Sequence, residues 1–189
     1  MTLTKRLACL SSIAAVVCAQ TAFAEAPTSA SVLEFADAET LFVADSVGGV
    51  IHAYTLPATG AAPEEMLPYN LLDLDGAIAD ALGAEARGIS YQDLEVHPVT
   101  REAYVAASVT IDGVRQAVVV SVARDGSVTR MDLANLPATS FAVADAPDDG
   151  VSFWRDIPAA TFTVTDLDFA SGELFVSGLS TGEFASTLR

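Results

Sequence analysis

The chain has 189 residues, 51% of them hydrophobic, with nine basic and 25 acidic side chains and a formal net charge of −16. That length and apolar content suffice for one domain with a sizeable core. So strong an acidic excess repels phosphate backbones and anionic lipid, which argues against nucleic-acid and peripheral membrane roles; dense carboxylates on a soluble exported domain account for it.

At the N-terminus, Lys5 and Arg6 precede an apolar run from Leu7 to Val17, followed by Ala22-Phe23-Ala24, a small-x-small site for cleavage before Glu25. Residues 1–24 therefore read as an export signal, too short for a span that needs about 20 consecutive apolar residues. The residues before Cys9 and Cys18 depart from a lipobox, which argues against a lipid anchor. Cleavage removes both cysteines and leaves seven arginines, no lysine and a formal charge of −18. Disulfides, thiolate nucleophiles and thiolate zinc sites are then excluded, and a periplasmic or secreted location is expected.

Residues 25–31 read as a linker. Unit one, about 32–70, opens with strands at Val32–Phe35, Leu41–Asp45 and Val50–Leu56, with Gly48-Gly49 as a hairpin turn. Leu74, Ile78 and Leu82 then recur every four residues between Asp73 or Asp75 as N-cap and Gly83 near the end, which predicts one short inserted helix between units. Unit two, about 88–134, has an alternating strand over Gly88–Val96, a His97-Pro98 turn, a return over Ala103–Val109, a turn at Asp112-Gly113, and a hairpin across Arg124-Asp125-Gly126. Residues 135–149 read as a long loop, and Phe153-Trp154 as cover for an edge or a sheet face. Unit three, about 161–189, has a strand over Thr161–Phe169, a Ser171-Gly172 turn and a return over Leu174–Ser177, with the chain ending as a third strand should begin.

The units repeat one strand pair: Val32-Leu-Glu-Phe35 before Leu41-Phe-Val-Ala44, Asp93-Leu-Glu-Val96 before Tyr104-Val-Ala-Ala107, and Asp166-Leu-Asp-Phe169 before Leu174-Phe-Val-Ser177. Recurring meanders that cannot bury their own faces are the mark of a β-propeller, here with successive units side by side. The expected fold is all-β: a partial β-propeller of about two and a half meander blades with one short inserted helix. Since closed wheels have at least about four blades, the chain reads as the N-terminal fragment of a longer propeller.

Tyr91-Gln-Asp-Leu-Glu-Val-His-Pro-Val-Thr100, Thr165-Asp-Leu-Asp-Phe169 and Ser177-Gly-Leu-Ser-Thr-Gly-Glu-Phe-Ala-Ser-Thr-Leu-Arg189 resemble a family of exported bacterial β-propeller proteins of unassigned function. More distantly, the chain is similar to YVTN and NHL repeat propellers and to gluconolactonase-type propellers. The resemblance implies further blades after Arg189 and supplies no catalytic residues.

Chemistry falls to the carboxylates of the first strand in each unit: Glu34, Asp93 with Glu95, and Asp166 with Asp168. Residues two apart on a strand share a face, so each pair points one way while Leu94 and Val96, or Leu167 and Phe169, point the other. Gathered near an axis, these oxygens suit a hard cation such as calcium; bonded to backbone amides or arginines, they are structural. Val32 breaks the pattern in unit one, and neither Asp73-Leu-Asp75-Gly nor Asp145–Gly150 has calcium-loop spacing. His52 and His97 belong to no short-range metal motif and are expected in packing or turn roles; no Gly-x-Ser-x-Gly elbow or Gly-rich nucleotide loop occurs. The expected function is an exported β-propeller scaffold for a protein, glycan or small ligand. The alternative is a metal- or cofactor-dependent propeller enzyme of lactonase or quinoprotein type.

Overall fold

The computed structural model describes residues 22–23, 26–58, 60–65, 68–181 and 186–189. The Lys5-Arg6 segment, its apolar run and both cysteines lie outside the described residues. Among the described residues, three antiparallel sheets, one α-helix and short 3-10 turns make up the regular structure. Sheet I contains β1 (Ala22–Phe23), β2 (Val32–Phe35), β3 (Thr40–Asp45), β4 (Val50–Thr55) and β9 (Pro137–Ala142), in the order β1-β9-β4-β3-β2. Sheet II is the meander β5 (Ser90–Val96), β6 (Ala103–Ile111), β7 (Val114–Val122), β8 (Val128–Arg130). Sheet III is the meander β10 (Asp166–Ala170), β11 (Glu173–Leu179), β12 (Ser186–Leu188).

The turns follow from residues that accept a left-handed backbone. Asp112-Gly113 and Ser171-Gly172 have φ of 50° and 78°, and 56° and 84°, the signature of two-residue hairpins whose twist matches the flanking strands. Asp125 closes its own turn by accepting from the Ser127 amide and hydroxyl at 2.9 and 2.7 Å. The helix α1 (Leu74–Leu82) begins where Asp73 accepts from the Gly76 amide and ends at Gly83, φ 64°, as its cap residues dictate.

Alternation along the strands gives sheet I two apolar faces. Leu33, Leu41, Val43 and Tyr54 on one face join Tyr104, Ala106 and Val119 of sheet II in a single core. Val32, Phe42, Ala44 and Ile51 on the other face join Val164, Leu167 and Val176 of sheet III in a second. Sheet I is therefore the middle layer, with β2 beside β5 on one side and β10 on the other. Helix α1 places Ile78 against Val105, Val120 and Val122, covering the far face of sheet II.

Five features differ from the sequence reading. The units do not lie in chain order: the first sits between the second and the third, because its strands are apolar on both faces. Residues 137–142, read as loop, form β9, antiparallel to β4 from Tyr54↔Ala138 to Val50↔Ala142; Pro137 stands at the first strand position, where no ladder donor is required. Thr161 and Phe162 belong to a 3-10 turn, Ala159–Phe162, so β10 starts only at Asp166. The third strand of unit three is present as β12, paired through Ser177↔Leu188. The stretch 26–31 is also no free linker: Thr28 and Ser29 donate to the Asp45 carboxylate at 2.7 and 2.9 Å, and Ala30 is buried in the first core.

Candidate functional site

The carboxylates singled out in sequence converge where β2, β5 and β10 lie side by side. Asp93 Oδ2 on β5 accepts from the Leu33 amide on β2 at 2.8 Å, and Glu34 on β2 accepts from the Phe169 amide on β10 at 3.0 Å. Each sheet thus holds the first strand of the next through a carboxylate-to-backbone bond, roughly twice as strong as a neutral one. On β5 itself, the Leu94 amide donates to Asp93 Oδ1 at 2.8 Å and the Val96 amide to Glu95 Oε1 at 3.0 Å. Asp166 and Asp168 are exposed on the far face of sheet III.

Burial pushes the Glu34 carboxyl above its ordinary value; the bond from Phe169 opposes this, and the nearby charges of Glu95, Asp168 and Asp166 reinforce it. Acids from three sheets therefore share one electrostatic neighbourhood. They do not assemble a ligand set: among the described residues no group of three or more His, Cys, Asp or Glu side chains is placed to hold a metal ion. Two of the five hold backbone amides across sheets, the structural role weighed above. The face assignment needs one amendment. The β5–β6 register shifts between Tyr91 and Asp93, and Leu94 and Val96 are 54% and 39% exposed because α1 does not extend over them.

Both histidines serve the packing. His97 is fully buried; Nε2–H donates to the Ala38 carbonyl of sheet I at 2.9 Å, while Nδ1 accepts from the Val99 and Thr100 amides at 3.1 and 3.0 Å. That set of partners fixes the Nε2–H tautomer. The His-Pro turn is thereby a tie between sheets II and I, with Phe35 edge-on to His97 at 5.0 Å. His52 bonds Ser140 of β9 through Nδ1 at 2.9 Å, and burial lowers its pKa against the raising effect of Asp45.

One feature escaped the sequence reading. A cleft of about 650 Å³ opens between sheets I and II, with Leu56, Pro57, Tyr104 and Met131 as apolar wall and Glu102, Arg124, Arg130 and Asp132 as charged groups. Arg124 lies over the Tyr69 ring at 5.0 Å, and Arg130 donates to Gln116 Oε1 at 3.3 Å. Its volume and mixed lining fall in the range of small-molecule sites. The lining comes from three separated stretches that only sheet packing brings together, and the sole hint in the sequence is two of the chain's few arginines flanking one hairpin.

Phe153 and Trp154 remain 58% and 61% exposed, Phe153 edge-on to Phe162 at 5.4 Å and Trp154 beneath the Arg155 guanidinium at 4.4 Å. Among the described residues no helix is long and apolar enough to cross a membrane. No protein-family model matches the chain, and neither a curated protein nor a solved structure matches it.

Proposed function

We propose that the protein is an exported β-propeller scaffold, each sheet a blade, that binds a small ligand in the cleft between its first two sheets. The observation that carries the binding role is that cleft: about 650 Å³, apolar at its base through Tyr104 and Met131, with arginines and carboxylates at hand. Charged groups of both signs over an apolar base suit a compact molecule with hydroxyl or ionic groups on one side and carbon on the other, such as a sugar or an amino acid. The propeller reading is supported by three antiparallel sheets stacked face to face with their first strands adjacent, and the export reading by the sequence of residues 1–24. In this reading Asp93 and Glu34 hold the blades together rather than perform chemistry.

The test is a thermal-shift screen of the exported protein against monosaccharides, disaccharides and the standard amino acids, repeated with Ala58→Trp, which places an indole at the cleft. A ligand that raises the midpoint for the parent and not for the variant supports the assignment. Hits that stabilise both proteins equally, or no hit at all, refute the cleft as the binding site.

A further inference from the structure

The amides that one sheet offers and the carboxylates that the next supplies are unevenly distributed at the two ends of the stack. In the repeat, Leu33, Leu94 and Leu167 are equivalent, as are Phe35, Val96 and Phe169. Two of these positions have their amides bonded by a neighbouring sheet: Leu33 by Asp93, and Phe169 by Glu34. At the sheet II end the corresponding amides, Leu94 and Val96, are bonded only by the side chains that immediately precede them. At the sheet III end, Asp166 and Asp168 stand exposed with no amide to accept from among the described residues, beside Phe175, which is 38% exposed.

One end therefore presents a strand with two apolar side chains and amides held only locally; the other presents free carboxylates and an aromatic ring. Both are continuations of the interfaces already made between sheets II and I and between sheets I and III. We propose that the sheet III face, through Asp166, Asp168 and Phe175, docks on the Leu94 and Val96 strand of a second copy of this chain. Joined reciprocally, two copies form a two-fold symmetric ring of six sheets, since a head-to-tail contact that closes leaves no open end. Helix α1 packs on β6 and β7 through Ile78 and meets β5 at Tyr91, whose hydroxyl donates to Asp75, while Leu94 and Val96 farther along β5 stay exposed. Six blades lie within the usual propeller range. Two copies of so acidic a chain repel at long range, so added salt strengthens the pairing.

This inference rests on the stacked-sheet reading above, and sedimentation velocity of the exported protein at low and high salt tests it. The expected result is a species of twice the protomer mass, favoured by salt and reduced to the protomer by Asp168→Lys or Phe175→Glu without change in melting midpoint of the monomer. Within one chain Leu94 and Asp168 lie at opposite ends of the stack, so a Cys9→Ser, Cys18→Ser, Leu94→Cys, Asp168→Cys protein treated with a short bismaleimide should give covalent dimer. A protomer mass under all conditions, a dimer indifferent to both surface variants, or the absence of cross-linked dimer overturns the proposal. If those results come with a destabilised Asp93→Ala protein, only the second copy is refuted. If Asp93→Ala is silent as well, the stack itself is wrong.

Discussion

Replacing Asp93 by alanine removes the acceptor of two backbone bonds at 2.8 Å, one of which ties sheet II to sheet I at Leu33. A hydrogen bond to a charged group is worth about 1.5–3 kcal/mol net, and the Leu33 amide loses its partner at a half-buried junction. The Leu94 amide is exposed and regains water, so its share is small. The total comes to about 2 kcal/mol, which at an m-value of about 2 kcal/mol/M lowers the urea midpoint by about 1 M. Asp93→Asn keeps one acceptor oxygen and should lose about half as much. Equilibrium urea unfolding followed by circular dichroism measures the loss, with Asp80→Ala on the exposed side of α1 as a control expected to stay within about 0.5 kcal/mol. Amide exchange at Leu33 gives the residue-level reading and should accelerate in Asp93→Ala. Unchanged stability together with unchanged Leu33 exchange would refute the reasoning, because the carboxylate would then contribute nothing across the sheets.

Other substitutions probe separate links. The Tyr54 hydroxyl is buried in the first core with no hydrogen-bond partner among the described residues, and burial raises its pKa to about 12; Tyr54→Phe should stabilise by about 1 kcal/mol in the same unfolding assay. His97→Phe fills the space but strands the Ala38 carbonyl and the Val99 and Thr100 amides, so a loss of about 3 kcal/mol is expected, read as a lower melting midpoint. A Cβ at Gly178 would clash with the Thr163 carbonyl oxygen, and Gly178→Ala should cost about 3 kcal/mol or prevent folding, seen as a lower melting midpoint or loss of folded protein. Glu34 keeps its proton to higher pH in the folded chain than its ordinary value of 4.5 allows, so its contribution to stability declines as pH rises through and above that value. Glu34→Gln retains an acceptor for Phe169 and should match the parent near pH 4 while exceeding it at pH 7 by under about 1 kcal/mol, the partial exposure limiting the gain; urea midpoints at the two pH values check it.

The strand pairs, the helix with its Asp73 cap and the glycine turns were legible because each depends on residues close in sequence. Alternation separates Asp93 and Glu95 from Leu94 and Val96, and Asp166 and Asp168 from Leu167 and Phe169, but does not say which set meets a neighbouring sheet: on β5 the carboxylate side does, on β10 the apolar side. What local pattern does not encode is which sheet meets which. Val32 and Leu33 both read as apolar, and nothing in either says that one faces sheet III and the other sheet II. β9 was missed for the same reason: Pro137–Ala142 lies exposed at most positions, so no burial period marks it, and its partner β4 is more than eighty residues away. The Leu33 and Phe169 amides that accept the service of Asp93 and Glu34 are likewise sixty and more than a hundred residues distant, beyond any spacing rule. The cleft was invisible because it is a gap between two sheets, not a property of either.

The claim that the first unit lies between the other two is tested most directly by aromatic contacts across its two faces. Phe35 lies 5.1 Å from Tyr104 of sheet II, and Phe42 lies 5.7 Å from Phe169 of sheet III, measured between ring centres. A nuclear Overhauser spectrum with selectively labelled aromatic rings should show both pairs. Cross-peaks joining the Tyr104 ring to the Phe169 ring, with none from Phe42 to Phe169, would place the second and third units together and contradict the account.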